Sequence, residues 1–252
     1  HVDTEAMRRV GRASLSVALV GVVAPVVLGG ATGLALGESA RTSLFLGAAL
    51  AATSIGITAR VFRDAGCLDS VTARIVIGAA VIDDVLGLVL LVIVSAVAGS
   101  NGVDAGVIGS SALIVGSFFL GAVIARSRNG ATVERSVSRI APVVVPLFFI
   151  HIGVKADAVK FFSRGVLAVA GVVFLVAMGT KLLAGFGTSH AGTDRITVGL
   201  AMAPRGEVGL IFAATAVSAG AFDDRMYASV LLVVLATTVV TPVLLRRRLA
   251  VS

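Results

Sequence analysis

The sequence predicts an all-α polytopic membrane protein of about eight transmembrane helices, with an inverted-repeat core in which two broken helices cross. Three observations predict it. Apolar runs of about 20 residues, the length that crosses a hydrocarbon core of about 30 Å, recur along the chain. Two of those runs contain helix-breaking residues, and several carry ionisable side chains inside them. The composition agrees. Of 252 residues 57% are apolar, none is Trp, and mean hydropathy is +1.04, which is outside the range of an ordinary soluble domain.

The first run, Ser14–Leu36, is plain. The second, Ser43–Phe62, carries AATSIGITAR, which sets Thr53, Ser54, Gly56 and Thr58 at mid-membrane. The third, Val71–Ala98, holds adjacent aspartates, Asp83 and Asp84, near its middle. Gly106–Ala125 and Ile140–Val154 follow, the latter short enough to be tilted or partly re-entrant. Gly165–Gly187 contains Lys181. Ile196–Ala219 contains AMAPRGEVG, in which Pro204 stands two residues from Gly206, with Arg205 and Glu207 beside them. Met226–Leu245, with Thr237, Thr238 and Thr241, completes the set. Proline removes a backbone donor and clashes with the preceding turn, and glycine tolerates unwound backbone. Unwound backbone at membrane depth is allowed only where it lines a cavity or is buried in protein.

The order of these runs divides the chain. Residues 1–98 give a plain span, a broken span and a carboxylate span. Residues 158–252 give a lysine span, a broken span and a final span. Five crossings separate the first span from the sixth, so the two groups run in opposite directions. Residues 99–157 connect them. A matching pair of interrupted spans in two halves points to the midplane site of a secondary transporter.

An ionised group at that depth costs on the order of 3 kcal/mol, so charges of both signs on several spans read as an ion or proton pathway. Ion pairs that only fix helix packing are the alternative. Successive helix residues project about 100° apart, so Asp83 and Asp84 cannot face one partner. One is expected to meet Lys181, which keeps its proton beside a carboxylate, while the other faces the crossing and solvent.

The net charge of +7 is topological. Arginines crowd the loops on one side, from Arg8 and Arg60 to Arg246–Arg248, while few basic residues lie on the other. The positive-inside rule then places both termini of the chain in the cytoplasm. No nucleic-acid surface is expected. The single Cys67 excludes a disulfide framework and thiolate clusters. His151 reads as a packing or interfacial residue before a pH sensor, and Asp223–Asp224 as a solvated turn. No nucleophile–base constellation or phosphate loop appears, so no enzyme chemistry and no cofactor are expected.

The segments GAALAATSIGITARV, IGAAVIDDVLG, VPLFFIHIGVKAD, GTKLLAG and MAPRGEVGLI resemble those of the bacterial monovalent cation:proton antiporters, the sodium/proton exchanger-like family. The resemblance covers nearly the whole chain. It implies a six-helix core with two crossed broken helices beside a dimerisation domain, hence a homodimer in the bacterial cytoplasmic membrane. It also implies that Asp84 binds a cation (Na⁺ or K⁺) and protons in turn, and that Asp83 pairs with Lys181. Thr53 and Ser54 would lie on the first unwound stretch and Pro204 and Gly206 on the second, with Arg205 and Glu207 as a structural ion pair. The double aspartate resembles the electrogenic branch. Against the family pattern, the first spans are missing and the chain opens at His1, as if within a cytoplasmic loop. About two helices also seem deleted near Gly99–Ala105. A potassium-efflux exchanger, a passive pore or sensor, and a non-transporting remnant stay open beside the sodium exchanger.

Overall fold

The computed structural model describes residues 4–97 and 160–250, Ser189 and Ala191 excepted, with isolated positions between 109 and 147. The described elements are helical. They are α1 (Thr4–Ala35), α2 (Ala40–Ala51), α3 (Ile55–Asp64), α4 (Val71–Val97), α5 (Arg164–Ala184), α6 (Arg195–Ala201), α7 (Glu207–Ser218) and α8 (Asp224–Leu249). Among the described residues five stretches are long and apolar enough to cross a membrane: Val10–Ala35, Ala40–Asp64, Val71–Val97, Arg164–Gly187 and Asp224–Leu249. The expected spans Gly106–Ala125 and Ile140–Val154, with His151, fall outside the described residues.

Both interrupted spans are broken where the sequence places the breaks. Residues 52–54 leave the helix between α2 and α3, and residues 203–206 between α6 and α7. Proline alone does not decide this. Pro25 and Pro242 sit inside α1 and α8 without ending them. At Pro204 a neighbouring glycine lets the backbone leave the helix, and Gly206 then takes φ −141° and ψ −138° before α7 begins.

Local sequence starts the other helices. Ser39, Ser163, Asp194 and Asp223 each accept a hydrogen bond from a first-turn backbone N–H, satisfying donors that a helix start leaves open. Asp223 is therefore the cap of α8 and not merely part of a solvated turn.

Ion pairs define the two ends of the bundle. At one end, Arg246 meets Asp64 at 2.5 Å and Arg248 meets Asp194 at 2.9 Å. At the opposite end, Arg225 meets Glu38 at 2.6 Å. The first is called the basic end below, since Arg60, Arg63 and Arg247 belong to it too. Consequently α1, α2–α3 and α4 run away from, toward and away from the basic end. By the same landmarks α5, α6–α7 and α8 run toward, away from and toward it.

Two apolar clusters fill the interior. One joins Phe45, Leu50, Leu91, Val173, Phe212 and Met226 in the half away from the basic end. The other joins Val17, Phe62, Ile75, Val76, Val198 and Leu245 in the basic half. Between them lies a belt of buried polar groups, Thr53, Ser54, Asp83, Lys181 and Arg205. Lipid is as apolar as a leucine core, so close approach of small residues and hydrogen bonds hold such helices together. At the α1–α2 seam a Cβ added to Gly29 would lie 3.0 Å from Gly47 Cα, and one added to Gly33 would lie 2.8 Å from Ser43 Cα.

Candidate functional site at the crossing of two broken helices

The two breaks meet. The Ser54 N–H donates to the Pro204 carbonyl at 2.8 Å, the Thr53 hydroxyl to Met202 O at 3.1 Å, and the Thr58 hydroxyl to Ala201 O at 2.6 Å. From α8, the Thr238 hydroxyl donates to Arg205 O at 2.6 Å. Arg205 itself reaches Ala203 O at 3.3 Å. Every carbonyl from Ala201 to Arg205 thus accepts a bond from outside the regular helix ladder, which satisfies unwound backbone where bulk water is absent.

On the facing strand of the crossing, α2 ends with carbonyls that two buried cations take up. Arg205 donates to Leu50 O at 2.8 Å and to Ala177 O at 3.2 Å. Lys181 donates to Ala51 O, to Gly21 O at 2.8 Å and to the Thr53 hydroxyl at 2.8 Å. Cations at a helix C-terminus also oppose the partial negative charge of its dipole. Gly21 O is available for a reason legible in the chain. The residue four positions on is Pro25, which has no N–H to give it.

The Asp83 carboxylate lies 3.7 Å from Lys181 Nζ. Both groups are fully buried, and neither Asp83 oxygen has a hydrogen-bond partner among the described residues. Asp84, next along α4, is only half-buried. Asp83 thus stands against the lysine, while its neighbour on α4 keeps partial exposure. One turn further on, Gly87 brings α4 against α7, where an added Cβ would meet Val208 at 3.7 Å.

Of the residues the sequence singles out, Thr53, Ser54, Pro204 and Gly206 form the crossing, with Asp83 and Lys181 against it. The expected ion pair of Arg205 with Glu207 is not formed. Arg205 turns inward to three backbone carbonyls, which a buried guanidinium can serve with its fork of donors. Glu207 starts α7 and is exposed. Sequence reasoning also missed the carbonyls of Gly21, Leu50, Ala51 and Ala177 as ligands of the two cations. Among the described residues no group of three His, Cys, Asp or Glu side chains comes together as a metal cage.

A cavity of about 890 Å³ approaches the crossing from the side of α3, α7 and α8. Arg60, Arg63 and Arg246 line it at the basic end, and Ser54, Gly206 and Glu207 at mid-depth. Leu231, Val234 and Leu235 give it an apolar wall.

Broken helices that cross at buried charges are an architecture found in secondary transporters. The profile described as sodium/hydrogen exchanger, transmembrane, matches residues 1–115 and 105–250, and the chain belongs to this family. It is 32% identical to the high-affinity Na⁺/H⁺ antiporter NhaS3 of Synechocystis, over 94% of its own length and 65% of that relative. It is 29% identical to the Na⁺/H⁺-K⁺ antiporter GerN of Bacillus cereus, over 98% of its length and 78% of the relative. With a Na⁺/H⁺ antiporter of Enterococcus hirae it shares 24% identity over 97% of its length and 79% of the relative. The chain thus spans less than two thirds of the cyanobacterial protein. These relatives are transporters by name and not enzymes.

Proposed function

We propose that the chain exchanges a monovalent cation, Na⁺ or K⁺, for protons across the bacterial cytoplasmic membrane by alternating access, with Asp84 carrying cation and proton in turn. The observation that carries this reading is the pair of unlike aspartates at the crossing, one locked against Lys181 and one half-open. An ion arriving at Asp84 adds positive charge beside Asp83, Lys181 and Arg205. Arginine keeps its proton, so Lys181 is the cation of the cluster able to give one up. Coupled groups of this kind titrate as a unit, which links cation binding to proton release and makes an electrogenic cycle natural.

Residues 1–98 and 158–252 serve as the two inverted units of the core, and residues 99–157 as the connection. The alignments with NhaS3 and GerN run over 302 and 305 positions, more than the 252 residues of this chain. Those relatives hence carry residues with no counterpart here, which supports an internal deletion of helices near Gly99–Ala105. The arginine-rich basic end faces the cytoplasm, with both termini of the chain, and the functional unit is a homodimer. Potassium is kept as cargo because GerN carries it in its name.

The test is dissipation of an imposed pH gradient in proteoliposomes on adding Na⁺, K⁺ or Li⁺. The parent chain responds to at least one ion, and Asp84→Asn responds to none, because an amide cannot alternate between a proton and a cation. Near-normal exchange by Asp84→Asn would remove that residue from the mechanism.

A further inference from the structure

The turn that closes α5 holds an aromatic side chain in the open. Gly185–Gly187 is a 3₁₀ turn at the end of the span Arg164–Gly187, and its middle residue, Phe186, is 65% exposed. Main chain pins this turn on both sides. A Cβ at Gly185 would strike the Arg195 carbonyl oxygen, and one at Gly187 would lie 2.8 Å from the Ser16 carbonyl oxygen of α1. Arg195 stands over the turn, its guanidinium carbon 5.5 Å from the centre of the Phe186 ring. On α1, Arg12 is one helical turn nearer the basic end than Ser16 and on the same face. Both arginines are exposed, and neither makes an ion pair or a side-chain hydrogen bond among the described residues. Asp194, the carboxylate next to Arg195 in the chain, is already taken, since it caps α6 and pairs with Arg248 at 2.9 Å.

We propose that Phe186, Arg195 and Arg12 form a binding site for the headgroup of an anionic phospholipid in the leaflet at the basic end. The ring covers one face of the Arg195 guanidinium, a contact that cation–π attraction favours. The edge of the guanidinium, with its fork of N–H donors, stays free, and that edge fits a phosphate bidentately. Apolar surface continues from the ring toward the bilayer centre. Leu183, three residues before Phe186 on α5, and Leu19, three residues past Ser16 on α1, are both exposed. Acyl chains lie on this strip while the phosphodiester stays level with the arginines. A zwitterionic headgroup brings its own ammonium to that level, so two unpaired cations favour an anionic one. None of these residues belongs to the crossing, and the site stands apart from the exchange reading.

The chain has no tryptophan, so Phe186→Trp supplies its only one. In mixed bilayers its fluorescence is expected to be quenched more by brominated phosphatidylglycerol than by brominated phosphatidylcholine at the same mole fraction. The local enrichment should be about fivefold, the factor that one basic residue contributes near an anionic surface. Adding Arg195→Gln should make the two lipids quench alike, and Arg195→Lys, which keeps the charge without the fork, should fall between. Arg60→Gln, at the same end but on the cavity side, should leave the preference intact. A second measurement needs no tryptophan. In detergent, phosphatidylglycerol should raise the melting temperature of the parent chain more than phosphatidylcholine does, and Arg195→Gln should lose most of that difference. Equal quenching by the two lipids, or a preference that Arg195→Gln leaves intact, overturns the proposal. So does a preference that Arg60→Gln removes equally, since the whole basic end would then be the attractant. Displacement by inorganic phosphate at constant ionic strength also overturns it, because free phosphate and not lipid would be the ligand. If the tryptophan variant does not fold, the melting comparison decides alone.

Discussion

Gly206 and Ser54 touch so closely that a Cβ at position 206 would lie 2.9 Å from the serine Oγ and 3.0 Å from its Cβ. What position 206 lacks is space for a side chain. The two half-helix breaks are thereby held at a separation only glycine allows.

Gly206→Ala is accordingly expected to destabilise the protein by about 1–3 kcal/mol, the usual cost of overpacking. Adding Ser54→Gly removes both opposing atoms and should return part of that loss. Thermal melts in detergent of the two single variants and the double variant give the coupling. Additive effects would show that the breaks do not meet here.

The Asp83–Lys181 contact predicts a second coupling. Removing one partner of a buried pair typically costs about 3–5 kcal/mol, because the other charge is left uncompensated. Lys181→Gln should therefore be poorly stable, and Asp83→Asn should relieve it only in part. The lysine also serves the carbonyls of Gly21 and Ala51, which glutamine would leave to water or to nothing. A melt-based double-mutant cycle measures this, and independence of the two changes would mean that the groups do not interact.

Pro25 predicts a third. Alanine there restores an N–H that competes with Lys181 for Gly21 O. With Lys181 present, the gain expected from better helix propensity should be partly cancelled; in a Lys181→Gln background it should appear in full. A coupling below about 0.5 kcal/mol, the usual limit of additivity, would show that Pro25 does nothing for the lysine.

The breaks, the aspartate pair and the lysine were legible because they violate the rules of a membrane helix, and violations stand out in a chain of Val, Leu, Ala and Gly. Arg205 was misjudged for a related reason. A sequence displays side-chain charges, so Glu207 two residues away looked like its partner. The acceptors actually used are backbone carbonyls, which every residue carries and which only the fold exposes. Pro25 is the exception, since a proline announces the free carbonyl four residues before it. That signal is present in the chain itself.

A fourth expectation concerns pH at the basic end. Partial burial pushes the Asp194 carboxyl up, but hydrogen bonds from Arg248, Thr197 and the backbone N–H groups of Ile196 and Thr197 outweigh it, taking it from 3.8 down to about 2. A lowered carboxylate contributes stability in full above its unfolded value near 4, and loses it as pH falls toward 2. The stability difference between parent and Asp194→Asn should hence be constant from pH 5 to 9 and narrow below pH 4. A difference that changes between pH 5 and 9 would mean that another group controls this end of α6.

The glycines of this fold differ in what their neighbours are made of. A Cβ at Gly206 collides with a serine side chain, whereas one at Gly199 or Gly47 meets main chain, 2.7 Å from Leu182 Cα at the first and against the Val26 carbonyl oxygen at the second. A side chain can be exchanged in the course of descent; a backbone atom is present whatever residue bears it. Among descendants of this sequence, then, position 206 is free to drift when position 54 shrinks with it, so the two should covary. Positions 47 and 199 have no such compensating partner, and should stay glycine even in lineages where transport has been lost, as long as the helices still fold.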